Sequence, residues 1–369
     1  MKRSRAVRQL LLCAVISFTG LAAHAVQTEV VAQHLDHPWS VAFLPGGRFL
    51  VTERPGRMRV VEADGRAGAP LSGVPRVAAR GQGGLLDVVL DSGFAGNRTL
   101  YFCFAEPGSG DTNGTALARA RLAADASGLE DVKVIFRQEP KVDSGHHFGC
   151  RIVEARDGTL FLTLGERNSR RDDAQVLGNH IGKVVRVNKD GSVPQDNPFV
   201  HRAGAKPEVW SYGHRNMQGA TLSPDGRLWT HEHGPQGGDE INLPQAGRNY
   251  GWPVITYGEQ YGGGKIGEGI THKAGMEQPL HYWVPSIAPS GMAFVTSDRY
   301  GAAARGNLFV GSLKFGYVAR LEFGAGGKVA RETKWVDVGE RVRDVRQGPD
   351  GLLYVVTDAA DGKLLRLKP

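Results

Sequence analysis

VRQGPDGLLYVV, residues 345–356, is an apolar run, a Pro-Asp-Gly turn and a second apolar run. The turn is hairpin chemistry, with Gly supplying the positive φ that a tight reversal needs. The flanks, rich in Val, Leu and Tyr, have strand length. The pattern occurs five times more: FLPGGRFLV from Phe43, VLDSGFAGNRTLYF from Val89, IVEARDGTLFLT from Ile152, TLSPDGRLWT from Thr221 and FVTSDRYGAAARGNLFV from Phe294. Corresponding residues are Phe49, Leu100, Leu160, Leu228, Leu308 and Leu353. They are separated by roughly 45 to 80 residues, at or above the size of one propeller blade. Six such units predict an all-β fold, a six-bladed β-propeller of four-stranded antiparallel blades. The last unit holds only three strands, near Val342, Leu353 and Leu364. The strand Thr28–His34 has no hairpin partner and is expected to supply the missing outer strand, closing the ring and removing an open edge. A pair of β-sandwiches is the competing fold, but no central linker divides the chain.

Composition agrees. Among 369 residues 51 are Gly and 19 Pro, and Gly at ~14% is about twice ordinary usage. That weighs against a helical bundle, because Gly weakens helix interiors. Six Trp, nine Tyr and fourteen Phe in regularly spaced apolar runs weigh against disorder.

Lys2, Arg3, Arg5 and Arg8, the apolar run Leu10–Leu21 and Ala23-His24-Ala25 form the three parts of a secretory signal. Residues 1–25 are therefore expected to be cleaved, leaving 26–369 as a single propeller domain in the periplasm or outside the cell. Without the four bases of the leader, the formal charge of +7 falls to +3. No basic run interleaved with aromatics is present, so nucleic acid is not an expected partner. No later segment has the length for membrane insertion. Cys103 and Cys150 remain after cleavage, and an oxidising compartment permits their pairing. Two separate buried thiols are the equal alternative.

Long polar, Gly-rich insertions at 138–149, 167–182, 194–206 and 231–279 are expected to gather on one face of the ring and carry function. His146 and His147 precede a strand, and an imidazole at a channel mouth can act as a general base. Arg341 and Arg343 share a strand face, where two guanidiniums call for an anion between them, and a ligand's carboxylates fit the fork. In His231-Glu232-His233-Gly234-Pro235-Gln236-Gly237-Gly238-Asp239-Glu240 the H-x-H pair lacks a third zinc ligand at metal spacing. Its irregular backbone exposes carbonyl oxygens suited to Ca²⁺, although a plain tight loop fits the same residues. Asn97 and Asn113 head glycosylation sequons, which carry meaning only in a eukaryotic host.

Taken in order, LDHPW at 35, GQGGLLDVVL at 81, HHFGCRIV at 146, DNPF at 196, WSYGHRN at 210, EHGPQGGDEIN at 232, NYGWP at 249, SGMAF at 290 and RVRDVRQGPDG at 341 resemble the soluble aldose sugar dehydrogenases that use pyrroloquinoline quinone (PQQ), relatives of soluble quinoprotein glucose dehydrogenase. The likeness covers the whole mature chain and implies a six-bladed propeller that oxidises aldoses at the anomeric carbon to lactones and passes electrons to an external acceptor. It implies His147 as the base and Arg215 and Asn216 as groups beside the quinone carbonyl. Gln82 and Tyr261 become cofactor contacts, and Lys314, Arg341 and Arg343 partners of its carboxylates. Gly234 and Pro235 become backbone ligands of an activating Ca²⁺, and Glu240 and Tyr250 ligands of a second, structural Ca²⁺. Met217 and Cys150 stand where Pro and Gly are common in that family. A monomer or a homodimer is expected. Two other classes compete: a Ca²⁺-dependent propeller lactonase, which needs no Lys314–Arg341–Arg343 cluster, and a non-catalytic secreted propeller that binds glycans or proteins.

Overall fold

The computed structural model describes residues 26–324 and 327–369; the expected leader, residues 1–25, lies outside them. Six four-stranded antiparallel sheets form the fold. Their first strands, Pro38–Leu44, Leu85–Leu90, Gly149–Glu154, Met217–Leu222, Pro289–Phe294 and Val342–Gln347, contact one another in a closed ring. The Gly-containing turns lead from each first strand to the second, so that Phe43 pairs with Phe49, Thr221 with Trp229 and Gln347 with Leu353. The sixth blade is completed by Gln27–Leu35, which pairs antiparallel with Gly362–Lys368. The six blades, their strand number and the closure by the N-terminal strand are as the repeat predicts.

Blades adhere through apolar faces that the strand alternation supplies. Leu50 and Met58 of the first blade pack with Leu85, Phe102 and Phe104 of the second. Cys103 and Cys150 form a disulfide between the second and third blades, with Cα atoms 5.9 Å apart and both residues fully buried. This resolves the two readings of the cysteines in favour of pairing.

All six innermost strands slip register near their start: between Pro38 and Ser40, Leu85 and Val88, Gly149 and Ile152, Met217 and Gly219, Pro289 and Met292, and Val342 and Asp344. A bulge re-aims side chains. Here Trp39, Leu86, Gln218 and Arg343 fall in the slips and line a cavity at one end of the channel. Deeper along the same strands the channel is filled by charge. Arg151 Nη1 lies 2.9 Å from Asp344 and 3.3 Å from Asp87. Arg346 bonds both carboxylates, at 2.6 and 2.9 Å, and Ser40 donates to Asp87 at 2.7 Å. Two guanidiniums face two buried carboxylates. Such an arrangement specifies geometry more than it stabilises, since desolvation offsets most of the attraction.

Candidate active site

The cavity, about 290 Å³, is polar. Arg54, Arg341 and Arg343 reach it, and only one carboxylate, Asp358, does. Asp358 lies 3.3 Å from Arg341 and 3.0 Å from Arg343. Burial pushes its carboxyl up, but the charges of Arg343 and Arg341, with Arg54 behind them, overcome this and hold it at about 2. Arg341 and Arg343 do come together at the cavity, although Arg341 precedes the strand Val342–Gln347 and Arg343 lies in its register slip. The anion between them belongs to the protein, and two positive charges remain unneutralised in the lining. The Nε of Arg343 is buried without a partner, a donor in a cation-rich space that suits a polyanion.

His147 stands one layer behind this wall. The residue after it, Phe148, lines the cavity, as do Gln82 and Asn216. Gln82 accepts a hydrogen bond from the His147 backbone N–H at 2.8 Å. The imidazole Nδ1 lies 2.8 Å from Glu166 Oε1, and both side chains are buried. A carboxylate there makes Nδ1 the protonated nitrogen and leaves the Nε2 lone pair free to accept a proton. Burial lowers the imidazole's pKa below its ordinary value. The bond to Glu166 opposes that shift, and the charge of Arg215 adds to it. The ring is therefore neutral at pH 7, the state a base requires.

The backbone is strained for this purpose. His147 has φ +51°, and Cys150, Arg167 and Asn168 are also left-handed, at a cost of about 1–2 kcal/mol for each non-glycine residue. Gly165 is required beside it, because a Cβ there would lie 2.1 Å from the His147 carbonyl oxygen.

Arg215 is buried over the Trp252 ring, 5.3 Å from its centre. Its Nη1 donates to the carbonyls of His233 and Gly234 at 3.0 and 2.8 Å, and its Nε, 4.0 Å from Glu166, has no partner. The expected base, the expected electrostatic group and the expected metal-binding turn therefore meet at one edge of the cavity. Asn216 Oδ1 accepts from the Gly149 N–H at 3.2 Å.

Five predicted residues lie elsewhere. Pro235, Tyr261 and Lys314 line an adjacent cavity of about 510 Å³, and Tyr261 is exposed. The two spaces are neighbours through Leu313 and Lys314, whose N–H groups bond the carbonyls of Ala288 and Ile287. Glu240 sits on the third strand of the fourth blade, Asp239–Asn242, and Tyr250 in the loop between its third and fourth strands. Desolvation and the nearby Glu232 and Asp239 push the Glu240 carboxyl well up. Asn242 donates to both Glu232 and Glu240, at 3.1 and 3.3 Å. The Tyr250 hydroxyl is engaged within its own loop, donating to the Leu243 carbonyl and accepting from Gln245 N–H, and its ring stacks on His214. Among the described residues no group of three or more His, Cys, Asp or Glu side chains is arranged to hold a metal ion.

Sequence reasoning missed Glu166, Asp358, Arg54, Gln218 and His233. The repeat itself carried a signal. Counting five residues on from Phe49, Leu228, Leu308 and Leu353 reaches Arg54, His233, Leu313 and Asp358, and all four line the cavity.

The closed propeller thus sets a neutral, carboxylate-oriented histidine close to a cavity with a surplus of guanidiniums. The sequence profile described as "Glucose / Sorbosone dehydrogenase" matches residues 35–366, and the chain belongs to that family. It is similar to the aldose sugar dehydrogenase YliI of Escherichia coli (strain K12), with 47% identity over 352 residues and 94% of each chain covered. The crystal structure of the soluble aldose sugar dehydrogenase from Escherichia coli in the apo-form matches with a TM-score of 0.90, at 47% identity, over 94% of this chain and 100% of that one. The PQQ-bound form of an aldose sugar dehydrogenase from Streptomyces coelicolor matches with a TM-score of 0.75 and 29% identity, over 93% and 98%.

Proposed function

We propose that the protein oxidises aldose sugars at the anomeric carbon to lactones, using PQQ and Ca²⁺, and passes the electrons to an external acceptor. The observation that carries this reading is the pairing of a buried neutral His147, bonded to Glu166, with a cavity that has more guanidiniums than carboxylates. PQQ, when bound, supplies an ortho-quinone able to take up hydride, and Ca²⁺ polarises it as a Lewis acid.

The chain's own residues fit these groups. Arg54, Arg341 and Arg343, with Lys314 from the adjoining cavity, are the partners for PQQ's carboxylates. Gln82 and Asn216 are its polar contacts, and Tyr261 flanks it. The Gly234–Pro235 turn carries carbonyl oxygens of the type hard cations prefer, and the Gly234 carbonyl, which already accepts from Arg215 at 2.8 Å, is the weaker of the two for the activating Ca²⁺. Glu240, crowded by Glu232 and Asp239, fits a second cation. Tyr250 is the weaker member of that pair, because its hydroxyl is already engaged in its own loop. In the reaction His147 Nε2 accepts the proton of the anomeric hydroxyl, and Glu166 stabilises the imidazolium that forms. Arg215 places positive charge where oxygen becomes negative. The expected leader, residues 1–25, supports a location in the periplasm or outside the cell.

The test is reconstitution of metal-free apoprotein with PQQ and Ca²⁺. Aldose-dependent dye reduction that His147→Gln cuts to a small residual rate supports the proposal. Lactone hydrolysis without the quinone would replace it with the lactonase, and the absence of both activities would leave a binding propeller.

A further inference from the structure

Arg167 is fully buried, and its hydrogen bonds all go to neutral oxygens. Nε donates to the His146 carbonyl at 3.0 Å, Nη1 to the Asn113 carbonyl at 3.1 Å, and Nη2 to Asn113 Oδ1 and the Ser144 carbonyl, both at 2.6 Å. Its guanidinium lies over the Phe148 ring, 3.9 Å from the centre. Ser144 Oγ returns a bond to the Arg167 carbonyl at 2.8 Å. A buried guanidinium without a carboxylate partner costs stability. Met or Leu would fill the space without burying a charge, so an arginine there calls for a role.

The bonds supply one. The peptide joining His146 to His147 is gripped on both sides: its carbonyl by Arg167, its N–H by Gln82. That peptide opens the left-handed turn at His147. The preceding residue of the same loop, Glu166, bonds the imidazole itself. Adjacent residues thus hold opposite ends of one histidine, Glu166 the ring and Arg167 the backbone.

The geometry points to Arg167 as a positioning residue for His147: its planar fork locks the 144–148 loop so that the imidazole meets Glu166 while Phe148 seals the cavity wall. The catalytic consequence rests on the dehydrogenase reading above; the structural consequence does not. Five donors in one plane suit four oxygens from two chain segments, Asn113 and the 144–148 loop, which an ammonium group cannot match.

Two measurements test it. In ¹⁵N-histidine-labelled apoprotein, the His147 Nδ1–H signal, assigned by its loss in H147Q, is expected to be lost or shifted in Arg167→Met and partly retained in Arg167→Lys. In the PQQ- and Ca²⁺-loaded enzyme, Arg167→Met is expected to lower kcat at least tenfold with KM for the sugar within threefold. The same substitution made in H147Q is expected to change the residual turnover less than twofold, because its effect passes through the histidine. An unchanged Nδ1–H signal, or equal losses in both backgrounds, overturns the proposal. Should Arg167→Met not fold, Arg167→Lys decides by the same signal. Wild-type apoprotein showing the signal, with no aldose turnover after loading, would refute the enzymatic reading and leave the positioning role standing.

Discussion

Glu166→Gln separates charge from geometry at the base. Glutamine keeps an acceptor oxygen near Nδ1 and nearly the same volume, but removes the negative charge. The Glu166–His147 bond is 2.8 Å long, between side chains that are 1% and 9% exposed. A buried hydrogen bond to a charged group contributes about 1.5–3 kcal/mol. If that stabilisation is realised in the transition state, where the imidazolium forms, kcat/KM falls roughly 10- to 150-fold at about 1.4 kcal/mol per factor of ten. A second effect has a defined sign. Burial lowers the His147 pKa, and Glu166 is the main influence raising it. Without the carboxylate the pKa falls further, so the neutral base persists to lower pH and the acid limb of the profile moves down. The assay is kcat/KM for an aldose from about pH 4 to 9 with PQQ, Ca²⁺ and a dye acceptor. A lower plateau together with a limb displaced to lower pH is expected. An unchanged plateau, or a limb displaced upward, would refute the reasoning.

Arg343→Met removes the guanidinium that bonds Gln218 at 2.8 Å and Asp358 at 3.0 Å. PQQ affinity measured by titration calorimetry should fall roughly 10- to 100-fold, the equivalent of one charge-assisted contact, and unchanged affinity would contradict the cationic-cavity account. Cys103→Ser opens a link spanning 47 residues, and the loss in urea unfolding should be roughly 2–4 kcal/mol; an unshifted midpoint would count against a constraining bridge. Burial holds His147, His231 and His233 below their ordinary pKa, His233 at about 4, while Glu240 is held high. Below about pH 6.5 the unfolded chain therefore binds protons on His231 and His233 that the fold refuses, with His147 adding to them in the same direction, against one on Glu240 that the fold retains. Apoprotein stability should fall as pH drops from about 6 toward 5, by up to about 3 kcal/mol per unit. Stability that is flat or rises across that window would show that these histidines are charged in the fold.

The fold was legible because each blade writes its hairpin locally. The Gly turn and its two apolar flanks at 221–230 and 345–356 need no long-range information, and six copies fix the ring. The site was half legible. Strand alternation placed Arg341 and Arg343 together, although in the structure Arg341 precedes the strand and Arg343 lies in its register slip. It could not place their counter-ion, because Asp358 comes from the end of the following strand and meets them only once the hairpin register is known. Glu166 was hidden for a related reason. It lies 19 positions from His147 in sequence, and a left-handed backbone at both His147 and Arg167, which no local propensity announces, brings their loops together. Tyr261 and Lys314 show the converse. A resemblance names them, but chain spacing does not say that an inter-cavity wall stands between them and the guanidiniums.

The four-charge knot of Asp87, Arg151, Asp344 and Arg346 has a kinetic corollary. A ring stoppered from beneath has a single doorway, so whatever enters must leave by the same route. In the proposed reaction, sugar, lactone and electron acceptor then queue for one threshold. The expected rate law is that of turn-taking, the oxidised product departing before the acceptor comes in, with the parallel double-reciprocal lines of a substituted-enzyme scheme.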